Sequence, residues 1–366
     1  MESTSMMHAL VIIDNLRRSQ EEQAIRDVLV GLQNAGIQIT EMVQSPESSH
    51  DEISPLATEA PLHTPMPLNW LQRRRIIDGL SREIGRSLPD VIITFGQFAA
   101  SIGQDLAMSL ELPLVVECWQ TDHVKRPPLR PQIVSAYATA SSGLANAMRE
   151  RDQHHLVATT PHPITMTDTA NDTTNLPPSI AILDAEVDAR STRDILDGLT
   201  ETVKHHPDLQ IFMELGKSRS NTTWRHAESL GLLDRISSFS NASVLRPLIS
   251  DCTFLIIANS TCCTRSVIDE AMSKGRVILR PDHPMLASPD RRHQCILTES
   301  SKEAWAEAIE DLISDSDRRS RLGQQARTHV RQQNDPNRVF STWTQLIHEV
   351  SSELSYPLGN AGSTTL

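Results

Sequence analysis

The feature that most limits how this chain can fold is an alternation that runs almost its whole length. Short β-branched runs are separated by longer amphipathic ones. The first half carries "ALVII" (9–13), "IQITEM" (37–42), "VIITF" (91–95), "PLVVE" (113–117), "AYATAS" (136–141) and "HLVATT" (155–160). The rhythm restarts with "SIAIL" (179–183), "LQIFMEL" (209–215), "ISSFS" (236–240), "FLIIA" (254–258), "RVILR" (276–280) and "CILTE" (295–299). Continuous apolar runs of this kind suit strands buried on both faces, the situation that crossover helices create for a parallel sheet. The intervening helices announce themselves by spacing. In "EEQAIRDVLVGLQNAG", Ala24, Val28, Leu29 and Leu32 recur at helical intervals and Gly36 supplies the stop. Ser191 with Asp194, and Ser300 with Glu303, resemble capping boxes.

Two stretches interrupt the rhythm. Residues 44–68 hold five prolines among polar residues and read as a surface excursion within the first domain. Residues 161–178 hold four prolines around a turn-rich centre, and the interdomain linker is expected there, over 166–178. A chain of 366 residues also exceeds what one hydrophobic core organises. The expectation is an α/β protein with an N-terminal domain over 1–165 and a second domain over 179–335.

Charge and cysteines narrow the partners. A net charge of −12 argues against nucleic acid, because a polyanion is repelled by the average face. The basic runs Arg17-Arg18, Arg73-Arg74-Arg75 and Arg291-Arg292 read as solvated helix or loop faces. Five cysteines, Cys118, Cys252, Cys262, Cys263 and Cys295, show no CxxC spacing and read as reduced thiols. The start "MESTSMMHALVIIDNLRR" lacks the regions of a signal peptide, and no apolar run approaches a bilayer span. A cytoplasmic protein is expected, with room for peripheral contact with a membrane face. His154-His155, His205-His206 and His162 lack metal-ligand spacing, so no metal site is expected.

The order of these segments resembles the retaining GT-B glycosyltransferases, which use nucleotide sugars without a metal. "ALVIIDNLRRSQEEQAIRDVLVGLQNAGIQIT" is similar to the family's opening strand, loop and helix. "VIITFGQFAASIGQDLAMSLELPLVVE" and "ATASSGLANAMRER" are similar to its later strand–helix units. The most specific match is "LGLLDRISSFSNASVLRPLISDCTFLIIANSTCCTRSVIDEAMSKGRVIL", with its Glu-Ala-Met-x-x-Gly ending. The resemblance implies a GT-B fold, two Rossmann-like domains facing across a cleft. It also implies an acceptor-holding first domain, a donor-holding second domain, and a closing helix over 336–354 that returns to the first domain, followed by a tail. Departures fall on the donor side and on the first loop. The family's glycine pair falls on Ser19 and Gln20, and a histidine after the "PLVV" strand on Trp119. An arginine falls on Ala185, the first of two glutamates on Cys262 and a loop glycine on Arg265. Arg190 takes the place of the family's loop lysine and Glu270 that of the second glutamate.

The implied chemistry is hexosyl transfer from a nucleotide-sugar substrate to a glycan, lipid or small-molecule acceptor, with no cofactor. Without a metal, the leaving diphosphate must be neutralised by cations and helix N-termini. Arg190 is a candidate, with Lys217 beside a close turn at Gly216; each reads equally as a solvated loop charge. A helix start near Cys262, capped by Ser260 or Thr261, would present free N–H groups. The resemblance gives Glu270 the ribose hydroxyls, whereas its spacing alone reads as an i,i+4 pair with Lys274. Ser19, Gln20 and Trp119 would line the acceptor side, and Trp119 reads equally as a packed edge residue. No catalytic residue is assigned. A non-catalytic relative that keeps the fold is the competing reading.

Overall fold

The computed structural model describes residues 6–45, 56, 62–65, 70–125, 130–166, 177–215, 222–240, 246, 248, 252–259, 265–283, 295–299 and 301–353. They divide into two compact units, the first comprising Met1–Pro163 with Pro336–Leu366 and the second Ile164–Asp335.

Unit 1 is built on seven strands: β1 (His8–Ile13), β2 (Gln38–Ser45), β3 (Leu62–Pro65), β4 (Val91–Phe95), β5 (Leu114–Cys118), β6 (Ala136–Thr139) and β7 (Leu156–Thr159). They lie in the order β3-β2-β1-β4-β5-β6-β7, and every neighbouring pair is parallel. The connections run through α1 (Asn15–Asn34), α2 (Trp70–Ile84), α3 (Gln97–Leu110), α4 (Thr121–Lys125) and α5 (Ser142–Arg151). One face of the sheet shows its period of two directly. Ala9, Val11 and Ile13 pack against Ile25, Val28, Leu29 and Leu32 of α1. The same cluster holds Val339, Trp343 and Ile347 of α11 (Pro336–Glu353), which joins unit 1 from far along the chain. Trp343 meets the Phe95 ring at 5.7 Å, and Phe340 lies on Gly31, where a Cβ would come within 2.4 Å of the ring.

Unit 2 has six strands: β8 (Ser179–Leu183), β9 (Gln210–Glu214), β10 (Ile236–Phe239), β11 (Phe254–Ile257), β12 (Val277–Pro281) and β13 (Cys295–Thr298). Their order is β10-β9-β8-β11-β12-β13, again all parallel. The described helices are α6 (Ala189–His205), α7 (Thr222–Ser229), α8 (Ser266–Ser273), α9 (Lys302–Ser314) and α10 (Ser316–Gln333). Ile180 and Ile182 face Ile195, Leu199, Trp305 and Ile309 of α6 and α9. Ala181 and Leu183 face the other way, onto Val267, Ile268, Ala271 and Met272 of α8 and Ala326 and Val330 of α10. Ile164 belongs to this second cluster.

Three sequence expectations need correction. The cap of α6 is Asp188, whose side chain accepts from Ser191 N, so Ser191 is the third helical residue and not the cap. The cap of α9 is Ser301, accepting from Ala304 N, one residue later than the spacing predicts. The 44–68 segment is not wholly an excursion. Leu56 is buried, its N–H donates to Glu41 at 2.9 Å, and β3 adds a parallel edge strand to β2. Proline at the end of an edge strand costs no central ladder bond, which is why this proline-rich stretch still supplies one.

Gly323 of α10 lies on the turn that ends α8. A Cβ there would stand 2.0 Å from the Gly275 carbonyl oxygen, a backbone atom that cannot step aside. Gly323→Ala should therefore cost about 1–3 kcal/mol, the usual penalty of overpacking. For a unit of this size that lowers Tm by roughly 2–4 °C per kcal/mol. Thermal unfolding checks this, and an unchanged Tm would mean that α10 does not rest on this turn.

Candidate functional site

In open parallel sheets, ligands collect at the carboxyl edge where the strand order reverses. That point lies between β1 and β4 in unit 1 and between β8 and β11 in unit 2. Among the described residues, charged side chains stand at this edge in each unit.

In unit 1, Asp14 follows β1 directly and serves two helices. Its carboxylate accepts from Arg17 N of α1 at 2.7 Å and from Phe98 N of α3 at 3.2 Å. Gly96 leaves the space for this, with φ +101 and a hypothetical Cβ only 2.0 Å from Asp14 Oδ2. One resident anion thus satisfies donors at two helix N-termini, the groups that would otherwise attract a phosphate.

Arg17 is a further correction. Its basic neighbour suggested a solvated face, yet the residue is 1% exposed. Its guanidinium takes Glu117 at the end of β5 bidentately, Nε to Oε2 at 2.9 Å and Nη2 to Oε1 at 2.6 Å. It also lies 4.6 Å from the centroid of the Trp119 ring and 3.6 Å from Glu21 Oε1. His162 Nε2 stands 3.4 Å from Arg17 Nη2 and 3.9 Å from Glu21 Oε2. The local reason is register: α1 begins at Asn15, so Arg17 and Glu21 share the helix face that looks along the sheet edge. The helix kinks at Glu21 (φ −133°, ψ 24°). Where the resemblance expects a glycine pair, Ser19 and Gln20 are helical. Ser19 is exposed, its hydroxyl donating to the Leu16 carbonyl, and Gln20 is half-buried. Trp119 is buried, one face under Arg17, with the His123 ring edge-on at 5.7 Å. A glutamate closing an apolar strand, "PLVVECW", was the one available hint that a buried cation had to exist.

His123 in α4 completes the cluster. Burial, then the adjacent Arg17 guanidinium, pushes it down to about 4, against the opposing pull of Asp122 and of a hydrogen bond to the Glu117 backbone.

In unit 2 the corresponding cluster joins Asp184, Glu214 and Arg265. Asp184 follows β8 with φ +57°, a left-handed conformation uncommon outside glycine. Glu214 ends β9, and its Oε2 accepts from Asp184 N at 3.0 Å. Arg265 is the cap residue of α8 and makes no side-chain cap bond. Its Nη1 instead donates to Asp184 Oδ1 at 2.8 Å and Glu214 Oε2 at 2.6 Å, and Nη2 to Glu214 Oε1 at 3.1 Å. Burial raises the Asp184 carboxyl above the usual carboxylate range, and Arg265 opposes that rise.

The remaining sequence candidates are spread along this edge. Arg190 is exposed in the first turn of α6. Glu270, in the second turn of α8, accepts from Arg246 at 2.6 Å and lies 3.5 Å from Lys274. The Lys274 pair is legible as i,i+4 spacing, whereas nothing local marks Arg246 as a partner. The described part of α8 starts at Ser266, and Gly216, Lys217, Thr261 and Cys262 lie outside the described residues. Among the described residues, no helix is long and apolar enough to cross a membrane.

No protein-family model and no curated protein matches this sequence. Solved structures do match. Sucrose-phosphate synthase from Thermosynechococcus elongatus gives a TM-score of 0.71 at 15% identity, covering 94% of this chain and 100% of that one. HepE of Anabaena in complex with UDP and glucose gives 0.69 at 12% identity, over 94% and 100%. A UDP-N-acetylglucosamine 2-epimerase gives 0.62 at 12% identity, over 99% and 100%. The chain therefore has the GT-B fold, two Rossmann-like units, which glycosyltransferases and these epimerases share. Likeness at this identity speaks for the fold.

The depressed His123 makes unit 1 acid-sensitive in a defined window. The neutral ring is favoured in the folded state, so its contribution is present above the unfolded value of 6.5. It is lost as pH falls through about 4 and amounts to about 3 kcal/mol. His123→Gln should flatten the stability profile between these pH values, measured by denaturant unfolding. Parallel profiles for the two proteins would refute the assignment.

Proposed function

We propose that this protein binds a nucleotide sugar in unit 2 and transfers the sugar, with retention and without a metal, to a glycan, lipid or small-molecule acceptor held by unit 1. The observation that carries the reading is Glu270. It stands on the helix that follows β11, one of the two strands at the reversal point, in the segment that resembles the family most closely. Arg246 and Lys274 fix its carboxylate from two sides, leaving lone pairs for a ribose diol. Arg190 is the cation nearest the start of α6 and would meet the leaving diphosphate. A solved neighbour of this fold that holds UDP lends support.

One observation favours a second reading, a catalytically degenerate binding protein of the same fold. Arg265 replaces a family glycine and is bound by two carboxylates of its own unit. Calorimetry with UDP and UDP-glucose tests the first reading. Detectable binding is expected, with Glu270→Ala weakening it about tenfold or more, the range for a hydrogen bond to a charged group. No binding at millimolar ligand would sink the nucleotide reading. Binding with neither hydrolysis nor transfer of the sugar would favour the second.

A further inference from the structure

The helices on the other side of the unit 1 sheet hold a cavity that the site described above does not use. Val91, Ile93 and Phe95 pack with α1 and α11, whereas Ile92 and Thr94 meet α3 at Gly103, where a Cβ would come within 2.5 Å of the Thr94 side chain. On that side a space of about 150 Å³ is lined by Arg73 of α2, by Ser101, Gln104 and Asp105 of α3, and by Arg130, which precedes the 3-10 turn Pro131–Ile133. Such a volume holds a molecule the size of benzene. Ser101, Gln104 and Asp105 share one face of α3, at intervals of three and four. Arg73 belongs to a basic run that reads, from sequence, as a solvated face, yet it is half-buried and fixed. Its Nε donates to Asp105 Oδ2 and its Nη2 to the carbonyl and hydroxyl of Ser101, each at 2.7 Å. Arg130 is held less firmly. Its Nη1 stands 3.5 Å from Asp105 Oδ1 and 3.3 Å from the Met108 sulfur, a weak acceptor.

Two guanidinium groups thus converge on a single carboxylate, and one positive charge is left uncompensated within the cluster. Arg73 Nη1 and Arg130 Nε and Nη2 have no partner among the described residues. Gln104 is only 3% exposed, and its side chain's one hydrogen bond among the described residues, to the Arg130 carbonyl, is stretched to 3.5 Å. A polar group so buried is expected to have firmer partners than that. Forked cationic donors, a hydroxyl and an amide around one cavity are the complement of a tetrahedral oxyanion. We propose that this cavity is a second binding site, which takes a phosphate group between Arg73 and Arg130, with Ser101 and Gln104 completing its hydrogen bonds. Asp105 has two opposed effects there: it orients Arg73, and its charge limits how tightly the anion is held. The site lies wholly within unit 1 and does not depend on the nucleotide reading of unit 2.

Calorimetry on the full chain with inorganic phosphate and with glycerol 1-phosphate tests this, with glycerol as the uncharged control. Both anions should bind in the millimolar range or more tightly, and glycerol should not. Arg130→Gln removes one cation and should weaken binding about tenfold or more, the scale of a hydrogen bond to a charged group. Asp105→Asn removes the opposing charge while keeping an acceptor for Arg73, and should strengthen binding about threefold or more. Residues that served only to join α2 to α3 would not shift an anion's affinity in opposite directions. Glu270→Ala, in unit 2, should change nothing. Tighter binding of the ester identifies a small phosphomonoester as the occupant, and tighter binding of inorganic phosphate the free ion; the site stands in either case. No heat from either anion at about 10 mM overturns the inference. Binding that survives Arg130→Gln unchanged, or that falls with Glu270→Ala, places the anion elsewhere and overturns it too. A folded Asp105→Asn variant that binds no more tightly does the same. Should Arg130→Gln lose its cooperative unfolding transition, Asp105→Asn decides alone. None of these results bears on the nucleotide reading, which stands or falls with UDP and Glu270.

Discussion

A parallel sheet gathers unsatisfied polarity at one edge. Every strand ends there with carbonyls and side chains aimed outward, and every following helix begins there with N–H groups that lack intrahelical partners. These groups must be satisfied by a ligand or by the protein. Both units of this chain take the second course to an unusual degree. Asp14 serves two helix starts in unit 1, and Arg17 lies bidentate on Glu117 beneath them. Arg265 bridges two strand ends in unit 2. Such pairs are costly to break singly, about 3–5 kcal/mol for a buried charge left without its partner, even where replacing both would cost little. They therefore fix the edge geometry more firmly than they stabilise the fold.

This constraint explains where sequence reading succeeded. The alternation of apolar strands and amphipathic helices is a local pattern, and it sufficed for the parallel sheets because each strand is buried by its own flanking helices. The rhythm does not by itself set which strands pair, and the ladders of β1 with β4 and of β8 with β11 are known from the structure alone. Helix caps were legible only to within a residue or more. Several short polar side chains stand near each start, and the backbone chooses among them by φ and ψ.

The site was legible only where its contacts were local. Glu270 and Lys274 stand four residues apart on one helix and could be paired on spacing. Arg17 and Glu117 are separated by 100 positions, Arg265 and Asp184 by 81, and Arg246 and Glu270 by 24. Nothing in composition or periodicity distinguishes a cation destined for such a partner from one on a solvated face. Arg17 therefore reads, from sequence, as part of a solvated face. The usable sign is indirect: an acid near the end of an apolar strand, Glu117 in "PLVVECW".

The helix over Pro336–Glu353 has a consequence for how the protein comes into being. Its Val339, Trp343, Leu346, Ile347 and Val350 complete a core whose remaining buried members, from Ala9 to Ala138, were synthesised more than two hundred residues earlier. On the ribosome, unit 2 is contiguous and can condense as soon as Asp335 has emerged, whereas unit 1 must wait with an apolar strip along α1 uncovered. The half of the protein made first is thus finished last, its core left open until the final helix arrives.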